Sequence, residues 1–477
     1  MEKEGDKLSI LMFPWLAHGH IFPFLELAKI LSKSNFNIYF CSTAVNLDSI
    51  RKSIEKDTTS DIDLNSIKLV QLHFPETPQL PPQLHTTKNL PSNLLPVLLQ
   101  AFQNSSSSFS YIMNCLKPDM LIYDFFQPWA PKLALSQGIP SVYFATSGAT
   151  PFSFFHHLFA NGTSSTFPYQ AIYLLDYEKE IRARILANIK DADKNFAFGN
   201  FKMSSDIVLV KSCRGVEGKY IDYLSILCKK QIVPTGPLVN DNEEEEIHSD
   251  IMEWLSGKDE YATVYISFGS EYFLSETQIE QIAKGLELCS ANFVWVIRFP
   301  LGEKRNNIED ILPFGFLQRV KERGIIVQKW APQKMILSHP SIGGFVSHCG
   351  WSSITESLYF GVPVIALPMK LDQPINARLA AEAGFGVEVE RGDNGHFVGE
   401  EIAKAIDKVF IDKYSGESLR LKARELSGKM KKTGQQEAEE VADQLSRLCV
   451  KYKQQKLTSN IFLPQAIKTN SVIEFEV

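Results

Sequence analysis

The chain has 477 residues, 44% hydrophobic and 22% charged, with a formal net charge of −6 at pH 7 and a pI near 6.0. That length exceeds what one hydrophobic core usually serves, so two domains are expected. An acidic balance without a basic stripe argues against a nucleic-acid or anionic-membrane binder, and no run of about 18 apolar residues predicts a membrane span. The start, MEKEGDKLSILMFPW, alternates acidic and basic residues before entering a strand, unlike a signal peptide. The seven cysteines lie far apart in apolar runs, the usage of a reducing compartment. A cytoplasmic, monomeric protein is expected, with no cysteine–histidine spacing that suggests zinc.

In chain order, Leu8 to Phe13 reads as a short strand, Ile21 to Leu31 as a helix and Asn37 to Cys41 as a second strand. The βαβ pattern recurs with strand Met120 to Tyr123, helix Trp129 to Gln137 and strand Val142 to Phe144. His20, Asp124 and Thr146 fall at or just past strand ends, where parallel sheets place their ligand sites. Phe152, Phe154, Phe155 and Phe159 either pack a core or line an apolar pocket. Glu178 to Lys194 is a charged helix, read as a solvated face or a lid.

Pro234-Thr235-Gly236-Pro237 and the acidic run after it have the composition of a linker. Beyond it lie strand runs at Thr263 to Phe268, Phe293 to Ile297, Ile325 to Val327, Gly344 to Ser347 and Val364 to Ala366, and Ser275 to Gln278 reads as a capping box. Helices near Ser418 to Lys432 and Gln435 to Lys451 close the pattern. The fold class is thus α/β: two tandem doubly wound, Rossmann-like domains facing across a cleft. Their expected bounds are 1–239 and 251–432, with a linker at 240–250, a terminal helix at 433–455 and a disordered tail at 456–477.

The stretch Trp330 to Gln373, WAPQKMILSHPSIGGFVSHCGWSSITESLYFGVPVIALPMKLDQ, carries the densest chemistry. Pro332 stiffens the turn after a strand and leaves the Trp330 ring presented to one side. His348-Cys349-Gly350-Trp351-Ser352-Ser353 runs from strand into helix, so free backbone N–H groups and the helix dipole suit an anion. Asp372 and Gln373 offer a carboxylate and an amide to sugar hydroxyls. Glu356 suits a ribose, but Ser353-Ile354-Thr355-Glu356 also spells a capping box. Near the start, Ala17-His18-Gly19-His20 offers two imidazoles, of which His20 opens a helix and should stay neutral near pH 7. Asp124 alone could be a turn or capping residue.

Along its whole length the stretch resembles the signature box of plant family-1 UDP-dependent glycosyltransferases, and the resemblance implies the paired-domain GT-B fold. It further implies that Trp330 stacks on uracil, that the Ala331 backbone reads the uracil edge, and that Gln333 and Glu356 hold the ribose. By the same resemblance, His348, Gly350, Ser353 and Ser270 bind the diphosphate without a metal, and Asp372 and Gln373 take the sugar hydroxyls. Trp351 resembles the neutral-sugar branch, whereas Ser352 stands where the family usually has Asn. His20 matches the catalytic base and Asp124 its partner; Thr146 touches the sugar or phosphate, and His18 and Gly19 line the acceptor side. No cofactor is implied beyond UDP-glucose as co-substrate, and the acceptor is a small molecule. Phe13 to His20, Leu84-His85-Thr86-Thr87 and Ser267 to Phe273 resemble the subgroup that adds a sugar to an existing sugar on flavonoid or terpenoid glycosides. Transfer directly to an aglycone hydroxyl, and a non-catalytic UDP-sugar binder, are the alternatives.

Overall fold

Short apolar runs recur in both halves: LSILMF, MLIY, SVYFA and IVLV in the first, TVYIS, NFVWV and IGGFVS in the second. Strands buried on both faces require such near-continuous runs. The computed structural model describes residues 7–56, 66–187, 196–241, 249–299, 308–328 and 330–461 and arranges the runs in two sheets. The first contains β1 (Leu8–Phe13), β2 (Phe36–Ser42), β3 (Ile67–Gln71), β4 (Met120–Tyr123), β5 (Ser141–Ala145), β6 (Ile207–Val210) and β7 (Gln231–Pro234). The second contains β8 (Thr263–Ser267), β9 (Asn292–Val296), β10 (Gly324–Val327), β11 (Ile342–Ser347), β12 (Val364–Ala366) and β13 (Gly386–Glu388).

Both sheets are parallel, in the orders β3-β2-β1-β4-β5-β6-β7 and β10-β9-β8-β11-β12-β13. In each, strand order reverses beside the first strand, between β1 and β4 and between β8 and β11. Ligand crevices open at such switch points, outside the carboxyl ends of the strands. Period-two alternation divides the first core: Ile10, Met12, Met120 and Ile122 face one layer, Leu11, Phe13, Leu121 and Tyr123 the other. The second layer continues without a break into the other half, taking in Cys349, Trp351, Ile354 and Leu358.

Most expected elements are present to within a few residues, and Ser275 caps its helix as read: its Oγ accepts from the Gln278 N–H at 3.3 Å while Gln278 Oε1 accepts from the Ser275 N–H at 3.0 Å. Strands β3, β6, β7 and β13 are additions to the sequence reading. A larger difference lies at the end of the chain. The two expected helices form one helical run, Lys413–Ile461, of 49 residues and thus about 74 Å long. It therefore takes in residues 456–461 of the expected tail; 462–477 lie outside the described residues, as do 242–248 of the expected linker and 188–194 of the expected charged helix. No helix among the described residues is long and apolar enough to cross a membrane.

The long helix binds both halves. Its Ser427 Oγ donates to the Tyr359 carbonyl at 2.6 Å, whereas further along Lys451 pairs with Asp206 at 2.7 Å and Lys453 with Asp119 at 2.8 Å. Val441, Ala442, Leu445, Leu448 and Cys449 complete the core under β1, β2 and β4. The connecting chain meets the helix at a pair of glycines. A Cβ on Gly434 would lie 2.5 Å from Pro237 Cδ, and one on Gly236 (φ 74°) 2.6 Å from the Gly434 carbonyl oxygen. If the helix is part of the first core, Leu445→Ala should cost about 2–5 kcal/mol by the usual price of a buried leucine truncation. Denaturant unfolding checks this, and a loss below about 0.5 kcal/mol, the range of surface substitutions, would contradict it.

Candidate active site

The carboxyl ends of the two sheets enclose a cavity of about 1800 Å³ lined by residues of both halves. On the first side, His20 is the third residue of the helix His18–Ser32, which starts just beyond β1. Its Nδ1 lies 2.8 Å from Asp124 Oδ2. Asp124 directly follows β4, is fully buried, and also accepts the Trp15 N–H at 2.9 Å and the Phe125 N–H at 2.6 Å. With Nδ1 held by the carboxylate, Nε2 is the imidazole nitrogen left for a ligand. Burial lowers the His20 pKa, but the charge and hydrogen bond of Asp124 outweigh it, with Glu271 and Asp372 adding to the rise, so the net shift is upward. The helix end, expected to favour a neutral imidazole, is therefore not the only influence on His20: the adjacent carboxylate favours the charged form.

Thr146, expected to touch a sugar or phosphate, lines the cavity with its Oγ1 2.9 Å from His20 Nδ1. His18, expected on the acceptor side, packs against Phe22 and Trp330 at ring-centroid distances of 4.1 and 5.0 Å. Gly19 is exposed at the cavity lining.

On the second side, Trp330 is 41% exposed, a large aromatic left open at the cavity wall. Lys88 Nζ and Arg298 Cζ lie 4.7 and 5.2 Å from its ring centroid. Ala331 is buried beside it. Gln333 Nε2 donates to Glu356 Oε2 at 2.8 Å and to Ser353 Oγ at 3.4 Å, gathering three expected ligand residues in one cluster. The capping-box reading of Ser353 and Glu356 is overturned: the helix Trp351–Tyr359 has Gly350 as its N-cap, with no side-chain cap. Both residues are interior, and Glu356 is turned toward Gln333.

His348 follows β11 and lies between two glycine turns. A Cβ on Gly269 would stand 2.7 Å from its Nε2, and one on Gly350 2.5 Å. Cys349 between His348 and Gly350 adopts φ 65°, a left-handed turn uncommon for a side-chain-bearing residue. Burial, assisted by Lys370, pushes the His348 imidazole down to about 4, so it is neutral at pH 7. Its Nδ1 is buried and has no partner among the described residues. Ser270 lines the cavity next to this turn.

Asp372 Oδ2 accepts from Ser147 Oγ of the other half at 2.5 Å and from Asn376 Nδ2 at 3.3 Å. Burial raises its pKa above the ordinary value. Gln373 Oε1 is committed to the Met369 and Lys370 N–H groups, which leaves its amide nitrogen for other partners. Trp351 is buried, and its Nε1 donates to the Lys211 carbonyl at 2.6 Å.

Both open readings of the first half resolve here. Phe152, Phe155 and Phe159 line the cavity, at helical spacing, whereas Phe154 turns into the core against Phe167. The charged helix runs Asp176–Ala187 and covers the cavity rather than facing solvent alone. Its Glu178, Ile181 and Arg182 line it, and Glu178 pairs with the buried Arg378 at 3.1 Å across the cleft. Sequence reasoning passed over Ser147, Lys211, Glu271, Lys88 and Arg298. Of these, Glu271 lay inside a quoted motif, SFGSEYF, while nothing local marks the others.

Comparison with known proteins agrees with this geometry. A family model described as "Glycosyltransferase, N-terminal domain" matches residues 6–240, and one described as "UDP-glucoronosyl and UDP-glucosyl transferase" matches residues 236–424. The chain is 47% identical over 451 residues to the mogroside IIIx synthase of Siraitia grosvenorii, covering 93% of this chain and 98% of that protein. It is 46% identical to the beta-D-glucosyl crocetin beta-1,6-glucosyltransferase of Gardenia jasminoides, over 92% and 98% of the two chains. In fold it is similar to a Glycyrrhiza uralensis enzyme crystallised with glycyrrhetinic acid 3-O-monoglucuronide: TM-score 0.80 at 24% identity, covering 95% and 99%. Two switch-point crevices facing one cavity, joined to this near full-length similarity, identify the chain as a member of the family-1 UDP-dependent glycosyltransferases.

Proposed function

We propose that the protein transfers glucose from UDP-glucose, with inversion, to a sugar hydroxyl of a plant glycoside. His20 Nε2 takes the proton of the acceptor hydroxyl while its oxygen forms a bond to the anomeric carbon. The bond from that carbon to the diphosphate oxygen breaks, its electron pair leaves with UDP, and the products are a β-glucoside and UDP. Asp124 fixes the imidazole tautomer and balances the imidazolium that forms. Trp330 is the plate for uracil, Gln333 and Glu356 serve the ribose, and Asp372 with Gln373 serves the glucose. The helix start at Gly350 and the hydroxyls of Ser270 and Ser353, with His348, offset charge developing on the leaving group.

The observation that supports a sugar acceptor is the meeting of three distant stretches. Leu16 O accepts the Thr87 N–H at 3.0 Å, and Thr87 Oγ1 donates to Glu271 Oε1 at 2.6 Å. Glu271, held from behind by the buried Thr87, and Thr86 thus make a polar wall at the His20 side of the cavity, and Phe152, Phe155 and Phe159 an apolar wall elsewhere. A glycoside, with a sugar on an apolar body, matches both. The mogroside and glucosyl-crocetin enzymes, both named for glycosides, favour the same reading.

Four outcomes are expected. His20→Ala should lower kcat by about 10²–10⁴-fold, the usual worth of a general base, with UDP binding by calorimetry close to wild type; retention of most activity would remove His20 from the role. Because the base must be neutral and Asp124 raises its pKa, kcat/KM should fall as pH drops through a value above that of an ordinary histidine. In Asp124→Asn the residual activity should show that acid limb moved to lower pH; an unmoved limb would assign it to another group. Offered UDP-glucose with matched aglycones and monoglucosides, the enzyme should extend the monoglucosides, and NMR should show a sugar–sugar linkage. Reaction with the aglycones alone would refute the acceptor assignment.

A further inference from the structure

Lys211 directly follows β6 and is 2% exposed, yet its side chain reaches the lining of the cavity. Its backbone is fixed at both ends: the N–H donates to Ala145 O at 2.8 Å and the carbonyl accepts Trp351 Nε1. From this anchor the side chain crosses to the other half, where Nζ donates to Ser352 Oγ at 3.0 Å. Ser352 is the second residue of the helix Trp351–Tyr359, so the ammonium stands at the positive end of a helix. Among the described residues no carboxylate lies within 4 Å of Nζ.

This arrangement is unfavourable until an anion arrives. A buried cation lacking a close counter-charge is costly, and here a helix end adds charge of the same sign. Burial pushes the Lys211 pKa down to about 8, against the more distant pull of Glu356 and Glu26. Two positive features from opposite halves converge on one spot, which is what a doubly charged ligand requires. Ser352 makes the convergence possible, because a longer side chain at that position would occupy the space that Nζ reaches into.

We propose that Lys211 is a donor-binding residue, a cation supplied by the N-terminal half that grips the diphosphate of the UDP-sugar and neutralises charge on it as the glycosidic bond breaks. The proposal rests on the donor reading above.

The test uses the full-length protein and two probes, UDP and uridine, which share the base and ribose but not the diphosphate. Lys211→Met should weaken UDP at least about tenfold, as expected for losing a charge-assisted hydrogen bond, and leave uridine unchanged. Lys211→Arg should retain most UDP affinity, and Ser352→Asn placed in the Met background should recover part of it. Lys211→Gln is measured in parallel, so that a folding defect in the Met variant leaves the comparison intact. With UDP-glucose, kcat should fall along with the affinity. Equal losses for UDP and uridine would mean that Lys211 only shapes the protein, and unchanged UDP binding would likewise overturn the proposal. Wild-type protein that bound no UDP would defeat the donor reading itself, a distinct result.

Discussion

Burying a carboxylate is tolerable only when its lone pairs are met, and the fully buried Asp124 is met from three directions. The Trp15 N–H comes from the turn after β1, the Phe125 N–H from the turn after β4, and His20 from the first turn of the following helix. These are the elements that flank the switch point of the first sheet, whose register sets Phe13 opposite Tyr123. One charge thus organises the turn geometry, the imidazole orientation and the mouth of the crevice together. The helix start at Gly350 does the equivalent work in the second sheet, with His348 wedged between two glycine turns.

Much of this was legible because doubly buried strands and glycine-rich turns leave strong local marks. Interior strands such as β1, β4 and β8 are continuous apolar runs, and the site residues follow them directly. β3 and β7 escaped notice because they lie at the sheet edge, where half-exposed IKLVQ and Pro-ended QIVP break the pattern. β13 has only three residues, and β6 is an interior run of four. The S-x-x-E spelling at Ser353 leaves a capping box open for a different reason. A helix that starts at Gly350 places the same residues in its interior, and periodicity alone cannot separate the two starts. The two helices expected at the end of the chain are one because Gly434, between them, stays helical; its role as a contact point is tertiary.

What local sequence could not disclose is contact across the cleft. Lys211 follows a short apolar strand with no motif around it; its chemistry comes from Trp351 and Ser352, some 140 residues further on. Ser147 on Asp372, Thr87 on Glu271 and Glu178 on Arg378 are of the same kind. The sequence motifs name the groups on each side, and the pairing of the sides belongs to the fold. The phenylalanine cluster is an intermediate case. Its composition left core and pocket undecided, and helical phase then assigned Phe154 to one and Phe152, Phe155 and Phe159 to the other.

The contact between Gly236 and Gly434 has a mechanical consequence. One strand of chain leaves the first half at Gly236, another returns toward it at Gly434, and the two touch. Two tethers fixed at one point behave as a pivot: they resist sliding and leave rotation as the easy motion. The absence of side chains at both glycines is what keeps the axle narrow.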